Sequence, residues 1–178
     1  MRVPRIALLM TVTVLLTGCS ALSLISGQRG IDPISPNRSP QTVTATLYFG
    51  DNQAMYVLPE QRTILVADEP LPTVLVKELI AGPRNGQLYK TLPAETRLLG
   101  LEIKDGVAYV DFSKEVATKH WGGSAGELMT VASVVNTLTE LPEITSVQFL
   151  VEGQVQDAIW GHGVTSEPIK RIESRIGK

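Results

Sequence analysis

The chain has 178 residues and one cysteine, so it cannot form an internal disulfide or a zinc site built on several thiolates. With only two histidines, a metal centre built mainly on imidazole is not expected either. Charge of one sign is also missing. Sixteen Lys and Arg face 18 Asp and Glu, a net charge of −2, so the basic excess of nucleic-acid binders is absent and no nucleic-acid partner is expected. Aromatic residues are scarce, at 5% of the chain. The apolar share of 43% against 19% charged residues is that of a globular protein, with length for one ordinary domain and a tail.

The N-terminus reads as an address. Arg2 and Arg5 precede an apolar run over residues 6–16 (IALLMTVTVLL), 11 residues long and too short for a permanent membrane span. Leu16-Thr17-Gly18-Cys19 follows and resembles the lipobox of bacterial lipoproteins. Small residues before the cysteine admit the signal peptidase, and the thiol becomes the lipid-bearing thioether. The only cysteine of the chain stands where that motif requires it. Residues 1–18 are therefore expected to be a lipoprotein signal peptide and Cys19 the lipid attachment site. Two or more acyl chains, such as palmitate, give stable anchoring where one gives only marginal binding. The body is expected outside the cytoplasmic membrane and tethered to it. Ser20 permits passage to an outer membrane in a two-membrane envelope. The stretch to residue 40 is rich in Ser, Pro and Gly and holds no sustained period. Residues 19–40 thus read as the lipidated cysteine and a flexible tether with a reach of roughly 25 Å.

Patterning begins at Gln41. A strand is expected over Thr42–Phe49, stopped by Gly50-Asp51-Asn52. Two short strands follow, Met55–Leu58 and Thr63–Val66, with Pro59 near a bend. Pro70 and Pro72 open a helix whose Leu71, Leu75 and Leu79 share a face, and Gly82-Pro83 closes it. Arg97–Lys104 and Val107–Ser113 flank Asp105-Gly106, the dipeptide of a type I′ hairpin. Leu99, Leu101 and Ile103 are expected on its buried face. A second helix is predicted from Ala125 to Leu141, opened by a capping box of Ser124 and Glu127 and ended by Pro142. Ile144–Glu152 reads as a strand, with Val155–Trp160 pairing back. The whole is an α/β (α+β) class: a small mixed or antiparallel sheet with two helices on one face. The domain is assigned to residues 41–166 and a charged C-terminal tail to 167–178.

Several stretches stand out together, in a fixed order along the chain. They are Thr46-Leu47-Tyr48-Phe49, Glu78-Leu79-Ile80-Ala81-Gly82-Pro83, Leu92-Pro93-Ala94-Glu95-Thr96 and Val110-Asp111-Phe112-Ser113. Gly123-Ser124 with Glu127, Asn136-Thr137-Leu138-Thr139 and the run from Val147 to Gly153 complete the set. The ordered set, more than any one motif, resembles the GerMN domain family of sporulation and spore germination over 41–160. The resemblance implies a fold similar to ring-building modules of secretion and sporulation channels, with no catalytic residue and no cofactor. It implies assembly at the cell envelope, with an envelope protein or a second copy as partner. Tandem members of the family carry two such domains, and this chain has one.

Two other chemistries are legible. Gly122-Gly123-Ser124-Ala125-Gly126 matches G-x-S-x-G, and Asp157 and His162 follow in the order of a serine hydrolase. The elbow needs a buried strand before it, whereas residues 114–121 carry four titratable groups. Helix capping accounts for Ser124 and Glu127 without catalysis, and no catalytic residue is assigned. Trp121 with Gly122 and Gly123, and Trp160 with His162, form two Gly-rich aromatic loops. These are the candidate contact loops for a partner, or for peptidoglycan or a small ligand in the alternative reading. The plainer reading has both tryptophans covering the ends of a small core, and His120 and His162 as solvated or hydrogen-bonded loop residues.

Overall fold

The computed structural model describes residues 40–178. The expected signal peptide, Cys19 and the expected tether up to residue 39 lie outside the described residues.

Strands β1 (Gln41–Gly50) and β2 (Val57–Val66) form an antiparallel hairpin. The turn between them is built on Asp51, whose Oδ1 accepts the N–H groups of Gln53 and Met55. Helix α1 (Leu71–Ala81) follows, buried through Pro72, Leu75, Val76 and Leu79. It ends at Gly82, whose N–H donates to the carbonyls of Glu78 and Leu79. Strands β3 (Leu98–Lys104) and β4 (Val107–Phe112) make the expected hairpin, with Asp105 and Gly106 at φ 51° and 79°. Strand β5 (Ser146–Val151) lies parallel to β4, a pairing that requires a crossover. The crossover is a short helix α2 (Glu115–Thr118) and the long α3 (Gly123–Leu138). Strand β6 (Ile169–Lys170) pairs antiparallel to β5 and completes a four-stranded mixed sheet of order β3-β4-β5-β6.

Helix α1 packs on α3, β1 and β3, while α3 packs on β1 and β5. The core between them contains Leu47, Phe49, Leu79, Phe112, Leu138 and Phe149, all fully buried. Helix α3 is buried without interruption from Met129 to Leu138, including four polar residues. Each of the four is matched. Thr130 donates to Thr91 O, Ser133 to Tyr48 O at 2.6 Å, and Thr137 Oγ1 accepts Tyr48 N–H at 3.0 Å. Asn136 bonds both backbone groups of Ile172. The helix is thus zipped to β1, to the 88–92 loop and to the C-terminal segment through a polar stripe. Buried polar groups are tolerated only when paired in this way.

A buried cation braces the other helix. Arg62, 3% exposed, donates to Glu60 at 2.5 Å, to Glu78 at 2.6 Å and to Gly82 O at 2.7 Å, and lies over the Phe49 ring. It joins β2 to the C-terminal end of α1.

Five expectations need correction. The two short strands around Pro59 are one strand, β2. Tyr48, opposite Pro59, directs its N–H and C=O to α3, so the pair is one that exchanges no ladder bonds and the missing proline N–H costs nothing. A register shift between Leu98 and Gly100 turns Leu99 out, 47% exposed, and Ile103 at the sheet edge is 37% exposed. Helix α3 stops at Leu138, before Pro142, with Thr139 Oγ1 donating back to Val135 O at 2.7 Å. Val155–Trp160 forms no strand; a single bridge joins Val151 and Gln154. Residues 167–178 are part of the domain: Ile169 pairs with Val147, Gly177 N–H donates to Val57 O, and residues 173–175 form a 3₁₀ turn.

Candidate functional site

The N-terminal end of α3 gathers three loops. The helix opens at Gly122, held at φ 87°, a left-handed conformation suited to glycine. Gly126 lies in its first turn. A Cβ there would come within 2.2 Å of the Trp121 carbonyl oxygen, so only glycine lets the 120–122 loop fold onto the helix.

His120 sits at the centre of this loop, half-buried. Its Nε2 lies 2.8 Å from Thr130 Oγ1. The Thr130 proton goes to Thr91 O, so the hydroxyl oxygen accepts from Nε2–H and Nδ1 is left as an acceptor. Burial pushes the imidazole pKa below its ordinary 6.5, against an upward pull from the Glu127 carboxylate. The neutral ring is the form that fits. Trp121 stacks on it at 5.8 Å and 23°, and Trp160 lies at 5.4 Å, tilted by 45°. Trp160 in turn meets Phe149 edge-on at 5.8 Å. Four rings, Trp121, His120, Trp160 and Phe149, run from the surface into the core.

The two sequence-predicted loops are therefore brought together, but their tryptophans differ. Trp160 is half-buried and its Nε1 donates to Val116 O at 2.9 Å, which makes it a core residue. Trp121 is 49% exposed. It lines a cleft of about 210 Å³ with Gly122 and His120 on one side and Asp51, Asn52, Tyr89 and Lys90 around the rest. Tyr89 is 53% exposed. Neither Tyr89 nor Asp51 stood out in the sequence as a site residue. A lone tyrosine in an aperiodic loop is the only local signal. Its place comes from the bridge that pairs Tyr89 with Gly50 at the end of β1.

The capping box does not form. Ser124 is exposed and α3 has no side-chain cap. The Glu127 carboxylate, 3% exposed, instead accepts the N–H groups of His162 at 3.2 Å and Gly163 at 2.5 Å, clamping the third loop to the helix. Ser124 and His162 line one shallow cleft of about 280 Å³ with Val164 and Ile169. Among the described residues no hydrogen bond joins Ser124, Asp157 and His162; the tie at Asp157 is its backbone carbonyl, accepting from Thr165 N–H. The segment before Gly122 is helix α2 and a loop, so the strand that a nucleophile elbow needs is not there.

Three comparisons place this geometry. A sequence profile described as Germane, sporulation and spore germination, matches residues 46–157. A candidate lipoprotein from Clostridium perfringens, seen in a crystal structure, is similar at 33% identity and a TM-score of 0.53, over 72% of this chain and 87% of that one. The tandem GerMN domains of the sporulation protein GerM from Bacillus subtilis align at 26% identity and a TM-score of 0.63, over 77% of this chain and 48% of theirs. The first of those domains alone aligns at 25% identity and a TM-score of 0.60, over 74% of this chain and 98% of the domain. No curated protein matches the chain. The chain belongs to the Germane (GerMN-type) family of sporulation and spore germination domains.

Proposed function

We propose that this protein is an extracytoplasmic lipoprotein, anchored through Cys19, whose single GerMN domain is a non-enzymatic assembly module in an envelope complex of sporulation or germination. The observation that carries the reading is the open edge of the four-stranded sheet. Strand β3 ends the sheet, with Leu99 and Ile103 exposed along it. The opposite edge strand, β6, is only two residues long. Short edges resist pairing, whereas a seven-residue edge with apolar side chains offers its backbone groups to another chain. Family membership supports the setting, and the lipoprotein relative supports the anchor.

In-cell crosslinking followed by membrane purification and mass spectrometry tests the reading. A defined envelope complex, recovered in growing or in sporulating cells, supports it. Recovery of the bare protein alone in both conditions contradicts it. In parallel, Cys19→Ser moves the protein out of the membrane fraction if the thioether is its anchor, and leaves it there if it is not.

A further inference from the structure

The cleft beside α3 has features that assembly through β3 does not use. Aromatic residues are 5% of the chain, yet Tyr89 and Trp121 both stand about half exposed on the same small cleft. Trp121 is not loose. Its ring rests on His120, and the close approach of Gly126 fixes its carbonyl. A ring held in place loses little entropy when a ligand lands on it. The lining around it is mostly apolar, with a few polar groups set among it. Asp51 is oriented by two backbone N–H groups on Oδ1, which leaves most of its acceptor capacity free, and Asn52 lines the same cleft.

A flat aromatic face beside a carboxylate and a side-chain amide matches one ligand chemistry well. A pyranose offers a face of C–H groups, which the negative face of an aromatic ring attracts, and equatorial hydroxyls at its rim. The volume of about 210 Å³ suits one sugar ring and falls below the usual range for larger ligands. A proline-rich peptide also seeks aromatic surfaces, but it needs an extended groove and has no use for a carboxylate at the rim.

We propose that the Trp121–Tyr89 cleft binds a saccharide, with one pyranose ring against Trp121 and its hydroxyls on Asp51 and Asn52. This site is separate from the β3 edge, so its failure leaves the assembly reading standing.

The test is an NMR titration of the ¹⁵N-labelled full chain in detergent, with a chitin tetrasaccharide in one arm and a cellulose tetrasaccharide in the other. The expected result is a saturable shift of the Trp121 indole N–H in at least one arm, while the Trp160 indole, bonded to Val116 O, stays in place. Trp121→Ala and Tyr89→Ala should each weaken binding by about tenfold or more. Tyr89→Ala, at an exposed position, keeps the test decisive if Trp121→Ala does not fold. The chitin arm alone responding assigns an N-acetylated sugar; both responding assigns the hydroxylated ring. No saturable shift in either arm overturns the proposal, as does binding that survives both substitutions.

Discussion

Arg171 Nη2 donates to Tyr48 Oη at 3.0 Å and joins residues 123 positions apart. Tyr48 Oη donates to Glu140 at 2.8 Å, and the same carboxylate accepts from Arg171 at 2.6 Å. Arg171 also donates to Asn136 O at 2.9 Å. First strand, central helix and C-terminal segment are thus closed by one charged network. Burial, with the Glu140 carboxylate beside it, pushes the Tyr48 hydroxyl pKa above its ordinary value. The network keeps Arg171 charged, with bonds to Tyr48, Glu173 and Glu140 outweighing its burial.

Arg171→Ala is therefore expected to destabilise the domain by about 1.5–3 kcal/mol in urea unfolding, the range for hydrogen bonds to charged groups. A double-mutant cycle with Tyr48→Phe should give a coupling of about 0.5–3 kcal/mol. Additive effects would show that the C-terminal segment is not held through this pair.

Arg62 makes a sharper case because it is nearly fully buried. Arg62→Ala leaves Glu60 and Glu78 without their guanidinium and should cost about 3–5 kcal/mol. Arg62→Lys should recover little, since one ammonium cannot reach two carboxylates and the Gly82 carbonyl in the forked geometry. Equal stability of the lysine variant and the natural protein would contradict this.

Ser124 and Glu127 separate cap from clamp. Ser124→Ala should change stability by less than about 0.5 kcal/mol, because its side chain caps nothing. Glu127→Ala should cost about 1.5–3 kcal/mol and raise hydrogen exchange at the His162 and Gly163 amides, which lose a charged acceptor. The reverse order would restore the capping box.

His120 sets a pH window. Its folded pKa lies below the ordinary 6.5 through burial, so the unfolded chain binds more protons between the two values. Its contribution is complete above pH 6.5 and is lost as pH falls through the folded value. Glu60 acts lower. Burial raises its carboxyl pKa, but bonds from Asn85 and Arg84 N–H and from Arg62 outweigh this and hold it below the ordinary 4.5. Its contribution is lost only beneath pH 4.5. Melting temperatures from pH 7 to 5 should fall more steeply for the natural protein than for His120→Gln. Parallel curves would contradict the assignment.

Much of the fold is written locally. Pro70, Pro72 and Gly82 bound α1, Asp105-Gly106 sets the hairpin, and the alternation of Val147, Phe149 and Val151 marks β5, because each signal acts within a few residues. What sequence reading missed depends on distant partners. Pro59 sits inside a strand only because Tyr48 turns its backbone to α3. Thr130, Ser133, Asn136 and Thr137 are polar, and their burial is explained only once Thr91, β1 and Ile172 supply their partners. Glu127 matches a capping pattern, yet the 162–163 amides, 35 and 36 positions away, claim it. The site follows the same rule. Trp121 was visible as an aromatic in a Gly-rich loop, whereas Tyr89 and Asp51 join it only through the end of β1.

The central claim, assembly through the open β3 edge, is tested most directly by photo-crosslinking in intact cells. A crosslinking residue would be placed at Leu99 and at Ile103 on β3, and at Val164, 70% exposed in the cleft shared with Leu128 and Ile169, as the comparison. The account predicts one discrete membrane-associated product from both β3 positions and none from Val164. The same bare protein at all three positions, or a product from Val164 alone, would contradict it.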